Sequence, residues 1–349
     1  MTDQRPLDPL ALAEAVRGGD RRALARAITL IESSRDDHRQ AAESLLQTAL
    51  RGSRASIRLG VSGAPGVGKS TFIEAFGLHV IGAGHRLAVL AIDPSSRRSG
   101  GSILGDKTRM AELARNEAAF IRPSPAGGTL GGVARRTREA LMLCEAAGFE
   151  IVIVETVGIG QSETAVADMV DMFVLLVQPG GGDELQGIKK GVVELADLIL
   201  VNKADGAFAP AARRTVSDYR NALRLLRPAS PHWTPEILAV SALEGKNIAK
   251  AWQTVLRYRR TMEAAGVLAA RRAEQARAAL WAEIGAVLLD RLRESPVLRD
   301  RLPAIEAEVM GGLAAPAVAA RRLLEEFFAG GRAGVPGEGG GLDLAARKL

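Results

Sequence analysis

Residues Gly63, Ala64, Pro65, Gly66, Val67, Gly68, Lys69, Ser70 and Thr71 spell a complete G-x-x-x-x-G-K-[S/T] phosphate loop. Glycines at this spacing let successive backbone N–H groups turn inward on phosphate oxygens. Lys69 adds a mobile cation for the β- and γ-phosphates, and the Ser70 hydroxyl is a ligand type suited to Mg²⁺. The apolar run Ile57 to Val61 supplies a strand ahead of the loop, and Thr71 to Gly84 supplies a helix behind it, closed by glycine. That strand-loop-helix setting separates a phosphate loop from a chance glycine-rich turn, and it predicts a nucleoside triphosphate site.

The base is read from a second motif, Asn202-Lys203-Ala204-Asp205, which follows the short apolar run Leu198 to Val201. An aspartate here accepts two hydrogen bonds from guanine N1–H and the exocyclic amine. Adenine has no such donor pair and would leave the carboxylate unpaired. By itself the string also reads as a strand ending in a capped polar turn. Its place decides for guanine: it lies more than one hundred residues after the phosphate loop, and Glu236 to Val240 then leads into Ser241-Ala242-Leu243, a base-contacting type of loop. Three motifs in this order predict GTP and GDP as the ligands.

Three further strand ends are polar and glycine-rich, which is poor core material. Asp93, Asp106, Lys107 and Arg109 follow the second strand, Glu155 to Glu163 follows the fourth, and Gln178 to Lys190 follows the fifth. Gly158 holds the place of the amide that senses a γ-phosphate, with Glu155 where an aspartate is usual. One carbon longer, Glu155 is suited to hold a Mg²⁺ water or to position the attacking water rather than to touch the metal. Lys107 and Arg109 are candidate charge stabilisers for the phosphates, against a reading as surface salt pairs.

The elements that must position these loops alternate. Strand-like runs at Leu87 to Asp93, Ala119 to Arg122, Ile151 to Glu155, Phe173 to Gln178, Leu198 to Asn202 and Ile237 to Ser241 are separated by helical patterns. The expectation is an α/β fold with a mostly parallel sheet, helices on both faces, and ligands at the carboxyl ends of the strands. Residues 8 to 50 carry helical spacing, with Leu24, Ala27, Ile28 and Ile31 on one face and Gly18-Gly19-Asp20 as break and cap. From Met262 to about Ala329 two or three helices are expected, with Leu280, Ile284, Val287 and Leu288 on one stripe that must pack on the same chain or on a second copy. The expected organisation is 1–52 helical extension, 53–261 GTPase domain, 262–329 helical segment and 330–349 glycine-rich disordered tail.

Composition fits a cytoplasmic, reducing setting. The chain has 349 residues, 47% hydrophobic, and a single cysteine, Cys144, so it forms no internal disulfide. Its apolar runs are far shorter than the ~20 residues that span a bilayer, and the first residues are charged rather than signal-like. A net charge of +6 raises nucleic acid as a partner, but arginines alternate with acids and only eight Phe, three Trp and two Tyr offer stacking, which argues against it.

Four strings together resemble one family: the phosphate loop at 63 to 71; Asp93-Pro-Ser-Ser with the stretch ending at Met110; Glu155 to Glu163; and Gln178 to Lys189. The family is that of the MeaB and human MMAA type G-protein chaperones of adenosylcobalamin-dependent mutases, also known as ArgK. The resemblance runs from about residue 8 to 329, and the family's guanine motif is intact at Asn202 to Asp205. It implies a P-loop protein of the SIMIBI class with a helical N-terminal arm and a C-terminal dimerisation segment, hence a homodimer. It implies that Asp93, Asp106 and Glu155 surround Mg²⁺ and the attacking water, and that Asp183, Gln186 and Lys189 belong to a third switch reporting nucleotide state. The implied partners are methylmalonyl-CoA mutase and a cobalamin adenosyltransferase. Slow intrinsic turnover is expected, because no glutamine or arginine finger stands out.

Two other classes were weighed. A metal-insertion GTPase of the hydrogenase or urease maturation type needs clustered soft or imidazole ligands, and His38, His79, His85, His232 and Cys144 form no pair in sequence. A transport-associated kinase would use ATP, which Asp205 argues against.

Overall fold

Strands built as near-continuous runs of Val, Ile and Leu demand cover on both faces, and here they receive it. In the computed structural model, which describes residues 8–33, 35–51, 56–93, 110–125, 130–156, 162–180, 190–224 and 230–332, seven strands form one parallel sheet. They are β1 (Ile57–Gly63), β2 (Leu87–Asp93), β3 (Ala119–Pro125), β4 (Ile151–Thr156), β5 (Met172–Val177), β6 (Leu198–Val201) and β7 (Glu236–Ala239), in the order β3-β2-β4-β1-β5-β6-β7. The two-residue period of a strand sorts their side chains into two cores. Leu90, Val152, Val154, Leu175 and Ile199 face one way, with Leu24 and Ile28 of the N-terminal helices among their companions. Leu59, Val89, Ile153, Leu176 and Leu200 face the other, with Phe72, Phe76, Trp252 and Tyr258.

The N-terminal helices α1 (Pro9–Arg17) and α2 (Arg21–Glu32) are separated at Gly18 and Gly19, and Asp20 caps the second through its bonds from Arg22 N and Ala23 N. They are followed by α3 (Asp36–Ala49). Arg122 of β3 ion-pairs with Glu32, joining the end of α2 to the sheet. Strand β3 continues three residues past the sequence expectation, through Pro123 and Pro125. It can do so because it is an edge strand. Pairing with β2 persists through both prolines, so their missing N–H groups belong on the unpaired outer side.

Between strands lie α4 (Lys69–Gly82), α5 (Ala111–Arg115), α6 (Leu130–Ala146), α7 (Ser162–Ala167), α8 (Lys190–Leu195) and α9 (Ala209–Leu223), and α10 (Ile248–Ala264) follows β7. Three helices follow: α11 (Val267–Glu294), α12 (Arg301–Met310) and α13 (Pro316–Arg332). The chain divides into two units, 1–278 and 279–349, with the seam inside α11.

A physical reason for that seam lies at the foot of the sheet. Arg272 makes two bonds to the Asp171 carboxylate, at 2.7 and 2.5 Å, and a third to Ser56 O at 2.6 Å. Arg271 donates to Asp171 O and to the Tyr258 hydroxyl, and Gln275 donates to Val170 O. Arg58 clasps Glu145 with two bonds of 2.8 Å, and Ser56 shares that carboxylate. The first turns of α11 are therefore bonded to the starts of β1 and β5. In the second unit, Leu298, Ile305 and Ala319 are buried, Arg301 pairs with Glu326 and Arg322 with Glu308, while Leu280, Ile284 and Leu288 are exposed.

Asp197 belongs to this foot, accepting from Phe173 N at 2.9 Å with Arg271 at 3.7 Å. Burial lifts its pKa from 3.8 to about 6, against the pull of Arg271 and the Phe173 N–H. The folded state thus holds more protons than the unfolded between these values. The stability tied to this group is full below the unfolded value and falls as pH rises through about 6. Asp197→Asn keeps an acceptor for Phe173 N and does not titrate. In urea titrations the variant should gain on the wild type by up to ~3 kcal/mol between about pH 4 and pH 7. A difference independent of pH would show that Asp197 is ionised throughout.

Candidate functional site

Each glycine of the phosphate loop answers a separate steric demand. A Cβ on Gly63 would lie 2.4 Å from Leu176 O on the neighbouring strand. Gly66 has open space around it but a left-handed φ of 79°. Gly68 combines a φ of 93° with a Cβ position 2.7 Å from the Asn202 amide nitrogen. The loop therefore passes close to the guanine segment, and only glycine fits there. Val67 is fully buried beneath it, and Lys69, at the first turn of α4, donates to Gly63 O at 2.8 Å and Ala64 O at 3.2 Å.

Asn202 ties three loops together. It follows β6 and is 2% exposed. Its backbone N–H reaches Val177 O at 2.9 Å, its Nδ2 donates to Val67 O at 3.0 Å, and its Oδ1 accepts from Ala242 N at 3.1 Å. Lys203, in a left-handed turn at φ 57°, sends its Nζ to Gly66 O at 2.7 Å. Ala204 N continues to Val240 O at 3.0 Å. Asp205 is partly buried and oriented by the Ser241 hydroxyl, which donates to Oδ2 while accepting from Glu244 N at 3.1 Å. One carboxylate is thus held in place with acceptor capacity remaining, as recognition of a paired N–H donor edge requires. Leu243 is 83% exposed beside it. The structure brings together Gly63 to Thr71, Asn202, Lys203, Asp205, Ser241 and Ala242 as the sequence reading grouped them.

Glu155, next to last in β4, is 4% exposed, and the Ser70 hydroxyl donates to its Oε1 at 3.4 Å. A hydroxyl and a carboxylate at this spacing are hard oxygen donors, the chemistry that suits Mg²⁺ beside phosphates. Asp93 ends β2 with its side chain outside the described residues, and Asp106, Lys107, Arg109, Gly158, Asp183, Gln186 and Lys189 also lie outside them. Among the described residues no three His, Cys, Asp or Glu side chains cluster as a metal site, and no helix is long and apolar enough to cross a membrane.

Sequence reasoning missed two hydroxyl ties. Thr156 donates to Ser62 at 2.8 Å, both fully buried, joining the residue after Glu155 to the residue before the phosphate loop. Thr215 of α9, 7% exposed, accepts from Gly180 N at 3.2 Å at the root of the 178–190 loop. The signal available for both was a hydroxyl residue at an inward position of an otherwise apolar strand or helix face.

Residues 24–297 match the family model described as methylmalonyl Co-A mutase-associated GTPase MeaB. A putative GTPase of Caulobacter vibrioides is 55% identical over 321 residues, covering 92% of this chain and 98% of that protein. The mouse mitochondrial methylmalonic aciduria type A homolog is 49% identical over 319 residues, covering 88% of this chain and 77% of that protein. A crystal structure of an LAO/AO transport system kinase superposes with a TM-score of 0.73 at 36% identity, covering 94% of this chain and all of that one.

Asp205→Asn replaces two charge-assisted acceptors with one neutral acceptor and a donor facing guanine's donors. The expected cost is roughly 3–4 kcal/mol, so GTP affinity measured by calorimetry should fall by roughly two to three powers of ten. The fold should persist, because asparagine keeps an acceptor for the Ser241 hydroxyl and the Asn202 ties between loops are untouched. Undiminished GTP affinity would remove Asp205 from base recognition.

Proposed function

The chain belongs to the MeaB family of GTPases, and on that premise we propose that it is a chaperone of an adenosylcobalamin-dependent acyl-CoA mutase, methylmalonyl-CoA mutase first. In this reading it gates cobalamin loading and release and so assembles, protects and reactivates its client. The observation that carries the nucleotide half is the fastening of Asn202 and Lys203 to the carbonyls of the phosphate loop, which makes base and phosphate recognition one rigid unit. The client half is supported by the family description and by the name of the mouse relative.

In this reading the residue roles follow from the sequence motifs. Lys69 neutralises the phosphates from the start of α4, where the helix N-terminus adds its own partial positive charge. Ser70, Glu155, Asp93 and Asp106 are the residues we assign to Mg²⁺ and to the attacking water. When bound, Mg²⁺ supplies electrophilic stabilisation of the phosphate oxygens. Gly158 and Arg109 contact the γ-phosphate side, and Asp183, Gln186 and Lys189 carry nucleotide state to the client. The Thr156–Ser62 bond holds Glu155 against the phosphate loop from behind.

Slow intrinsic hydrolysis is part of the reading, with the client completing the site. A second copy packs on the exposed stripe of Leu280, Ile284 and Leu288, making a homodimer. A cobalamin adenosyltransferase is a second partner, and the setting is cytoplasmic.

GTP turnover by the full chain, alone and with methylmalonyl-CoA mutase, tests the proposal. Stimulation of about tenfold or more is expected with the mutase. GTP turnover with the mutase should fall about a hundredfold or more in Lys69→Ala, and the stimulation should be lost in Glu155→Ala. Turnover unchanged by the mutase would leave a GTPase whose client lies elsewhere.

A further inference from the structure

Helix α9 begins four residues after Asp205 and packs against the sheet through Ala212, Thr215 and Tyr219. Its other face is basic. Arg213, Arg220 and the capping Arg224 recur at i, i+7 and i+11, within about 40° of one another around the helix axis, and Arg214 lies beside them. All four are exposed. From Ala209 to Arg224 they stand against one acid, Asp218.

Elsewhere among the described residues some arginines pair with carboxylates on their own or a neighbouring helix, as Arg259 with Glu263, Arg277 with Glu274 and Arg301 with Glu326, while Arg22, Arg26, Arg260 and Arg291 are exposed without an ion pair. Among the described residues, the four on α9 make no ion pair. The stripe extends about 16 Å along a rigid element, at the 1.5 Å rise of a helix. Unpaired guanidiniums at fixed spacing match carboxylates on a facing surface and form bidentate pairs with them.

One covalent and one hydrogen-bonded link connect α9 to loops of the candidate nucleotide site. Through Gly206–Phe208 the chain runs directly from the guanine segment into α9. The buried Thr215 hydroxyl holds Gly180 N, at the root of the loop that follows β5. Both links reach α9 through its N-terminus and its packed side rather than through the arginine stripe.

We propose that the Arg213, Arg220 and Arg224 face of α9 is the docking surface for an acidic protein surface on the client, and that the Thr215–Gly180 bond makes docking depend on nucleotide state. This rests on the client reading above. A protein partner is favoured over nucleic acid because the basic stripe is narrow, carries no aromatic side chain for stacking, and is tied from behind to the nucleotide loops.

The test uses the full chain, its Arg213→Glu/Arg220→Glu/Arg224→Glu variant and the corresponding triple glutamine variant. Each is measured for intrinsic GTP turnover, for affinity to methylmalonyl-CoA mutase at low and high salt, and for binding to a single-stranded oligonucleotide. The expected result is unchanged intrinsic turnover and mutase affinity weaker by about tenfold or more in the charge reversal. The glutamine variant should be intermediate, and the loss should lie mainly in association rate and salt dependence. Thr215→Val should narrow the difference in mutase affinity between GTP and GDP forms. Equal mutase affinity in the wild type and both variants would overturn the docking face while leaving the client reading intact. A wild type that neither binds the mutase nor is stimulated by it would bring down the client reading, and the docking face with it. Oligonucleotide binding lost in the variants with mutase binding unchanged would assign the stripe to nucleic acid and overturn the proposal.

Discussion

A buried asparagine with both ends of its amide committed is the constraint on which the nucleotide site depends. Asn202 is 2% exposed, so any partner it lost would leave a polar group stranded in the interior at a cost of roughly 1–3 kcal/mol each. Its donor end holds the phosphate loop and its acceptor end holds the loop at Ala242. Gly68 must be glycine because that same amide occupies the space a methyl group would need. The phosphate loop and the loop at Ala242 are thus one object, set by a single buried side chain.

The sheet order explains how such distant residues meet. With β1 at the centre, flanked by β4 and β5, strands β1, β4 and β6 end on the same edge. The opposite edge is closed by a different kind of chemistry, a set of arginine and carboxylate pairs that bonds the start of α11 to β1 and β5. Both edges are polar, and the apolar cores lie between them on the two faces. Buried ion pairs contribute little net stability but penalise mispairing strongly, which suits a role in fixing where α11 begins its course.

The parts legible in the sequence were those whose chemistry demands particular residue types at fixed spacing. The phosphate loop, the guanine motif and the Ser241 loop follow that logic, and alternating strand and helix patterns gave the parallel sheet. The continuation of β3 through Pro123 and Pro125 was not legible, because proline is tolerated there only by virtue of the strand's place at the edge. Ser62, Thr156 and Thr215 were not legible either. A lone hydroxyl in an apolar run carries no spacing signal, and its partner is set by tertiary proximity across 94 residues in one case and 35 in the other.

Those two prolines have a further consequence. An edge strand with free N–H groups is a template on which another chain can crystallise its own strand, extending the sheet without limit. Along the outer side of β3 the donors at positions 123 and 125 do not exist, so an incoming strand would meet carbonyls with nothing to answer its own. Growth of the sheet by strand addition is disfavoured at that end of the border.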